Sequence, residues 1–166
     1  KAFLFDVRNN GGGRAAELVR MLDYLLPEGE IFVGVTARGQ EEIIYSDEHA
    51  VTRPAAVLVN EHSYSAAEYF AAVLREYNYA EVVGTQTTGK NRSQVTYLLP
   101  DGGALHISTG EYLTPGRVSL TETGGLTPDV VVEMSEEDIE ALYYGKLPFE
   151  EDVQLMAALA HLNQAS

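Results

Sequence analysis

Two apolar rhythms run along this chain. "AFLFDV" (2–7) and "AAVLVN" (55–60) are short, nearly continuous apolar runs, the pattern of strands buried on both faces. Each leads through a turn into helical spacing. After "RNNGGG" (8–13), rich in residues that tolerate positive φ, Ala15, Ala16, Leu18, Val19, Leu22 and Leu25 recur on one helical face. That pattern stops before Pro27. After "EHSYS" (61–65), "AAEYFAAVLREY" (66–77) predicts an amphipathic helix, and "AEVVG" (80–84) returns to strand.

Shorter signals fill the remainder. "EIFVGVTARG" (30–39) and "EEIIYS" (41–46) predict strands around a turn. "SQVTYLL" (93–99), a "PDGG" turn and "ALHIST" (104–109) predict a hairpin-like pair. "TPDVVVE" (127–133) predicts a last strand. Helices over 135–143 and 151–162 close the chain, the first opened by the capping box "SEED" at 135–138. Repeated strand–helix alternation with antiparallel additions in the middle predicts an α/β fold. With 166 residues and no internal repeat or linker, the chain reads as one domain, 1–166. It lacks an initiator Met and opens almost inside a strand, so it reads as a fragment whose upstream part would carry any targeting segment.

Composition narrows the partners. The formal charge of −14 argues against nucleic acid, whose phosphates attract basic surfaces. The absence of cysteine excludes disulfides, thiolate metal sites and a cysteine nucleophile. No histidine spacing of the H-x-x-x-H kind points to a metal. The longest apolar runs fall far short of the ~18 residues of a membrane span.

Two residues carry candidate chemistry. Gly84, Gly89 and Lys90 stand at the G-x-x-x-x-G-K spacing of a phosphate loop. Such a loop needs a Ser or Thr after the lysine and a helix immediately behind it. Here Asn91 and a strand-like segment follow, which argues against a phosphate role. Ser65 falls on the turn between a buried strand and a helix, where free N–H groups and the helix dipole favour an oxyanion. Ser65-Ala66-Ala67-Glu68 also spells S-x-x-E, a capping box that needs no chemistry. The residues alone leave both readings open.

Five motifs in order, "FDVRNNGGG", "VNEHSYSAAE", "GTQTTGKNRSQ", "LPDGGALHISTGEYLTPGR" and "GGLTPDVVVE", resemble the carboxyl-terminal processing peptidases. The terminal "EEDVQLMAALAHL" is similar to that family's closing helix, so the resemblance covers nearly the whole chain. It implies a crotonase/Clp-peptidase-like core of repeated strand–strand–helix units with some antiparallel strands. It further implies a PDZ domain and upstream strands in the complete chain, a possible homo-oligomer, no cofactor, and an extracytoplasmic location in periplasm or cell envelope. The implied activity is that of a tail-specific serine endopeptidase acting on extended polypeptide near its C-terminus. In that family a Ser–Lys dyad does the work. The resemblance assigns Ser65 as nucleophile, Lys90 as general base, Gln94 as the residue orienting the amine, and the backbone N–H groups of Gly12 and Ala66 as the oxyanion hole.

This assignment is chemically coherent. A serine hydroxyl is a poor nucleophile until a neighbour takes its proton. A free lysine titrates near ~10.4, so a lysine base needs burial, which disfavours the ammonium. A strand edge between apolar flanks would bury Lys90, and an extended segment would put Lys90 and Gln94 on one face. Asp6 and Arg8 read as a structural ion pair.

Three departures from the family pattern stand out. Gly11 replaces a common proline, which should loosen the turn. His62 and Tyr64 replace small residues, which should crowd the nucleophile. Asn91 replaces a common glycine, asparagine being the residue that best tolerates left-handed backbone in its place. His62 and His106 are the alternative bases, with no acid placed to orient them, while His49 and His161 read as surface positions. The competing class is a non-catalytic ligand- or peptide-binding module on the same fold, against which the joint retention of Ser65, Lys90 and Gln94 argues.

Overall fold

The computed structural model describes residues 1–164. A parallel sheet runs in the order β1-β4-β5-β8, from β1 (Phe3–Asp6), β4 (Ala55–Val59), β5 (Ala80–Gly84) and β8 (Val130–Val131). Parallel neighbours need a crossover, and α2 (Ala66–Glu76) supplies it between β4 and β5. Every residue of β4 is buried, and its alternation explains the unbroken apolar run. Ala55, Val57 and Val59 face one core with Leu22 of α1 (Ala15–Leu25) and Phe70, Val73 and Leu74 of α2. Ala56 and Leu58 face a second, smaller core against Ala158 and Leu162 of α4 (Val153–Gln164). The central strand is thus covered on both sides. β1 lies at the sheet edge and is only half-buried, less than its composition predicts.

An antiparallel sheet of order β3-β2-β7-β6 completes the α/β fold, from β2 (Gly29–Thr36), β3 (Glu41–Ser46), β6 (Arg92–Leu98) and β7 (Ala104–Leu113). An aromatic cluster ties it to α2: Phe32, Tyr69 and Tyr112 have ring centroids 5.3–5.6 Å apart. Tyr69 Oη donates to the Leu113 carbonyl at 2.8 Å, satisfying its buried hydroxyl. β7 runs four residues beyond the predicted strand because its last part pairs with β2, Val33 opposite Leu113.

Two elements differ from the pattern at their ends. The predicted 127–133 strand is reduced to Val130–Val131, flanked by backbone bonds from Asp129 N–H to the Val82 carbonyl and from Val132 N–H to the Gly84 carbonyl, both at 2.9 Å. The Asp129 carboxylate accepts from Val82 N–H, and Pro128, before them, lacks a donor. α4 begins at Val153, where the Asp152 carboxylate accepts from Leu155 N–H as a cap. α3 (Glu136–Tyr143) opens as predicted, Ser135 Oγ accepting from Asp138 N–H.

The Asp6–Arg8 pair forms, at 2.7 Å. Arg8 is buried and also donates to Asp152 at 2.7 and 3.0 Å and to Gln154 at 3.1 Å. The glycine turn is thereby anchored to the N-terminus of α4. Burial opposes ionisation of Asp152, but the hydrogen bonds from Arg8 and Leu155 N–H outweigh it and hold its carboxyl below the usual range.

Candidate active site

Two turns at the same end of the parallel sheet build the site. β1 and β4 are hydrogen-bonded neighbours, so the loops that leave them meet. Asn9 N–H donates to Asn60 Oδ1, and Asn60 Nδ2 donates back to Asn9 Oδ1, both at 2.9 Å. Ser63 Oγ donates to the Val7 carbonyl at 2.7 Å, and Tyr64 N–H donates to the Asn10 carbonyl at 3.2 Å. These bonds fix the last residue of the loop. Ser65 has φ 59° and ψ −126°, sterically costly for a residue with a Cβ, on the order of 1–3 kcal/mol.

The strain changes the meaning of S-x-x-E. Ser65 precedes α2, but its side chain makes no capping bond. Glu68, fully buried, turns away from the cap. It accepts from Gly89 N–H at 2.6 Å, from Lys90 N–H at 2.9 Å and from Thr87 Oγ. The carboxylate that would close a capping box instead holds the backbone of the Gly-Lys loop beside the serine. The Ser65 hydroxyl is left for other partners.

Gly12 comes close to the head of α2. Its φ is +85°, and a Cβ there would stand 2.7 Å from Ala66 N and 2.9 Å from Ser65 Cβ. Only glycine fits. Ala66, as the first residue of α2, has an N–H without an intrahelical acceptor. The Gly12 N–H donates to Asn10 Oδ1 at 2.9 Å. The two backbone donors assigned to an oxyanion hole are therefore adjacent, one of them held by a neighbouring side chain.

Lys90 and Gln94 sit differently from the expectation. Lys90 is exposed rather than buried, and its Nζ lies 5.2 Å from the centroid of the Tyr64 ring. No hydrogen bond joins Lys90 Nζ to Ser65 among the described residues. Lys90 precedes β6 and lies outside it, and the register shift between Ser93 and Gln94 skips Thr109 of β7, so that Gln94 stands opposite Ser108. Gln94 Oε1 pairs instead with His106 Nε2 at 3.1 Å, and His106 Nδ1 with Thr96 Oγ at 2.8 Å. Strand β6, not a helix, follows the Gly-Lys pair.

Tyr112 is the residue that sequence reading missed. Its Oη lies 3.1 Å from Ser65 Oγ and 2.9 Å from the Lys90 carbonyl oxygen. Burial pushes its ionisation up; the Ser65 contact opposes that and the Glu68 charge adds to it. The only sequence signal is an aromatic with a polar tip at the end of an alternating strand, whose hydroxyl must find a partner once buried. Asn91 does not take left-handed backbone; it is buried and its side chain is the anchor. Its Nδ2 donates to the Tyr112 carbonyl and to Ser119 Oγ, both at 3.0 Å, and its Oδ1 accepts from Thr121 Oγ.

Ser65, Ala66, Gly13, Gln94, His106 and Tyr112 line one cleft of about 350 Å³. A smaller, mainly apolar cavity of about 160 Å³ adjoins it, sharing Gly13, Arg14, Leu18 and Ala66 and lined also by Met21 and Phe70. His62 is exposed, 3.8 Å from Glu61. Among the described residues no three His, Asp or Glu side chains form a metal-binding group, and no helix is long and apolar enough to cross a membrane.

Ser65 thus sits in strained backbone at a helix head, with the unpaired first amide of α2 next to it in the chain. The sequence model of peptidase family S41 matches residues 1–132. The chain belongs to that family. It is 35% identical over 137 residues to a carboxy-terminal-processing protease of Bartonella bacilliformis, covering 80% of this chain and 31% of the relative. It is 33% identical over 158 residues to a carboxyl-terminal-processing protease of a Synechocystis strain, covering 95% and 36%. The photosystem II D1 C-terminal processing protease superposes with a TM-score of 0.73 at 30% identity, over 80% of this chain and 35% of that one. The chain thus spans about a third of the length of these relatives.

Proposed function

We propose that this chain is the catalytic core of a serine endopeptidase that cleaves extended polypeptides near their C-termini. The observation that carries the proposal is Ser65. Its backbone is strained, its hydroxyl is not spent on capping α2, and it opens into a cleft beside the Ala66 amide. Strain of this kind persists only where the surroundings over-determine it, and it concentrates at working sites. The names of the relatives support the choice of substrate class.

In this reading Ser65 attacks the scissile carbonyl, and the backbone N–H groups of Ala66 and Gly12 receive the oxyanion. Gly12 N–H exchanges Asn10 Oδ1 for the substrate oxygen. Lys90 leaves the Tyr64 ring and takes the serine proton, with Gln94 released from His106 to orient the amine. A peptide lying in the cleft excludes water from that amine, which disfavours an ammonium and favours a base. The tetrahedral adduct collapses with cleavage of the scissile C–N bond as Lys90 hands the proton to the departing amine. Lys90 then takes a proton from water, whose oxygen attacks the ester, and returns it to Ser65 Oγ as the new C-terminal carboxyl leaves. The proposal includes, for the complete chain, an extracytoplasmic location, a PDZ domain and a possible homo-oligomer.

One observation favours a second reading. Lys90 lies over Tyr64 rather than against Ser65, as in a binding module that keeps the residues without the chemistry. Ser65→Ala in the full-length protein separates the two. A nucleophile predicts complete loss of peptide cleavage with cooperative unfolding intact. Retained cleavage refutes the assignment, and a wild-type protein that binds peptide without cleaving it establishes the module.

A further inference from the structure

The hydroxyl of Tyr112 bridges two parts of the site that come from different sheets and loops. It is 3.1 Å from Ser65 Oγ and 2.9 Å from the carbonyl of Lys90. A phenol has one proton and so donates to one of these at a time. The Lys90 carbonyl only accepts, whereas Ser65 Oγ both donates and accepts. Two arrangements follow. With the phenol proton on the carbonyl, the serine proton points at Tyr112 Oη and is unavailable to a base. With the phenol proton on Ser65 Oγ, the serine proton is free to face a base. The second arrangement gains as negative charge develops on Oγ, because hydrogen bonds to ionised acceptors are the stronger ones.

We propose that Tyr112 positions the nucleophile, donating a hydrogen bond to Ser65 Oγ as its proton is removed and resting on the Lys90 carbonyl otherwise. This rests on Ser65 being the nucleophile. The residue is built for the task. Tyr112 is 8% exposed. Its ring is held by Phe32 at 5.6 Å and Tyr69 at 5.3 Å. Its backbone is tied twice to Asn91, Tyr112 N–H donating to the Asn91 carbonyl at 2.9 Å and Asn91 Nδ2 to the Tyr112 carbonyl at 3.0 Å. The oxygen therefore has little freedom except to choose between its two acceptors. Burial also keeps the phenol protonated, and hence a donor, throughout the neutral range. The same contact couples the site: the segment bearing Lys90 cannot shift without moving the partner of Ser65.

The test is the rate at which a fluorophosphonate probe labels Ser65 in the full-length protein, with the labelled peptide identified. Tyr112→Phe keeps the ring and removes the hydroxyl. Labelling should slow about 10- to 100-fold, the effect of one charge-assisted hydrogen bond, and kcat should fall by a similar factor with KM within about twofold. A purely structural tyrosine would lower the melting temperature and leave the labelling rate alone. Labelling of a folded Tyr112→Phe variant at the wild-type rate overturns the proposal while leaving the nucleophile intact. Failure of the wild type to label at Ser65 overturns the nucleophile itself. If Tyr112→Phe does not fold, 2,3-difluorotyrosine at position 112 keeps the shape but ionises at lower pH. Its labelling rate should then fall on the alkaline side at a pH where the wild type is unaffected; superimposable pH profiles contradict the proposal.

Discussion

Gly11 lies directly against Tyr64: a Cβ at position 11 would stand 2.5 Å from Tyr64 Oη. Glycine at 11 and tyrosine at 64 are thus one adaptation, the missing Cβ making room for the phenol whose ring carries Lys90 Nζ. The adjacent glycine differs in kind. At Gly12 a Cβ would meet backbone and Ser65 Cβ, and φ is +85°. Gly11→Ala should therefore cost less than about 1 kcal/mol, since the end of a side chain can move aside. Gly12→Ala should cost roughly 2–4 kcal/mol, since backbone atoms and a left-handed φ both oppose it. Urea unfolding of both variants checks this, and equal costs would contradict it.

Glu68 gives a second prediction. Three donors converge on a fully buried carboxylate. Glu68→Gln turns one of its two acceptor oxygens into a donor and leaves N–H facing N–H. Stability should fall by about 1–3 kcal/mol. The loss should be local first, so exchange of the Gly89 and Lys90 amides with solvent deuterium should accelerate at least tenfold. Unchanged protection at both amides would mean that the Gly-Lys loop is held by something other than Glu68.

The Arg8–Asp152 pair makes stability depend on pH. The carboxyl of Asp152 is lowered in the folded chain relative to the unfolded one. Its contribution is complete above the unfolded carboxyl value near ~3.9 and is lost as pH falls through the lower folded value. Asp152→Asn should cost about 3 kcal/mol at pH 7, because it leaves a buried arginine with a single carboxylate partner. It should also flatten the fall in urea midpoint between pH 5 and pH 2. A variant as acid-labile as the wild type would assign the acid transition to other carboxylates.

Much of the architecture is legible in the chain because it follows from local periodicity. The run "AAVLVN" has no polar alternation, and its shortness and β-branched residues favour a strand covered on both faces, which β4 is. The site is legible in part. Ser65 is placed by a local junction, strand to helix, and Gly12 by a local turn. Tyr112 is placed by the packing of one sheet on another, which no spacing encodes. Glu68 was ambiguous for a physical reason: a carboxylate three residues after a serine serves a cap or a distant loop equally well, and only the fold chooses. Asn91 shows the same limit, its side chain and not its backbone freedom being what the structure uses. Where the side chains of Lys90 and Gln94 rest is likewise a matter of partners that spacing does not encode, the Tyr64 ring for one and His106 for the other.

Lys90 carries the central claim, and substitution by arginine tests it most directly. Arginine keeps the positive charge and stacks on a tyrosine face at least as well as lysine does, so the contact with Tyr64 survives. What arginine cannot do is give up a proton near neutral pH. If Lys90 is the base, full-length Lys90→Arg should fold with wild-type cooperativity, cleave no peptide and fail to label at Ser65 with a fluorophosphonate. If Lys90 serves only as a cation over the Tyr64 ring, Lys90→Arg should cleave within about tenfold of the wild-type rate, and that result would contradict the Ser65–Lys90 dyad.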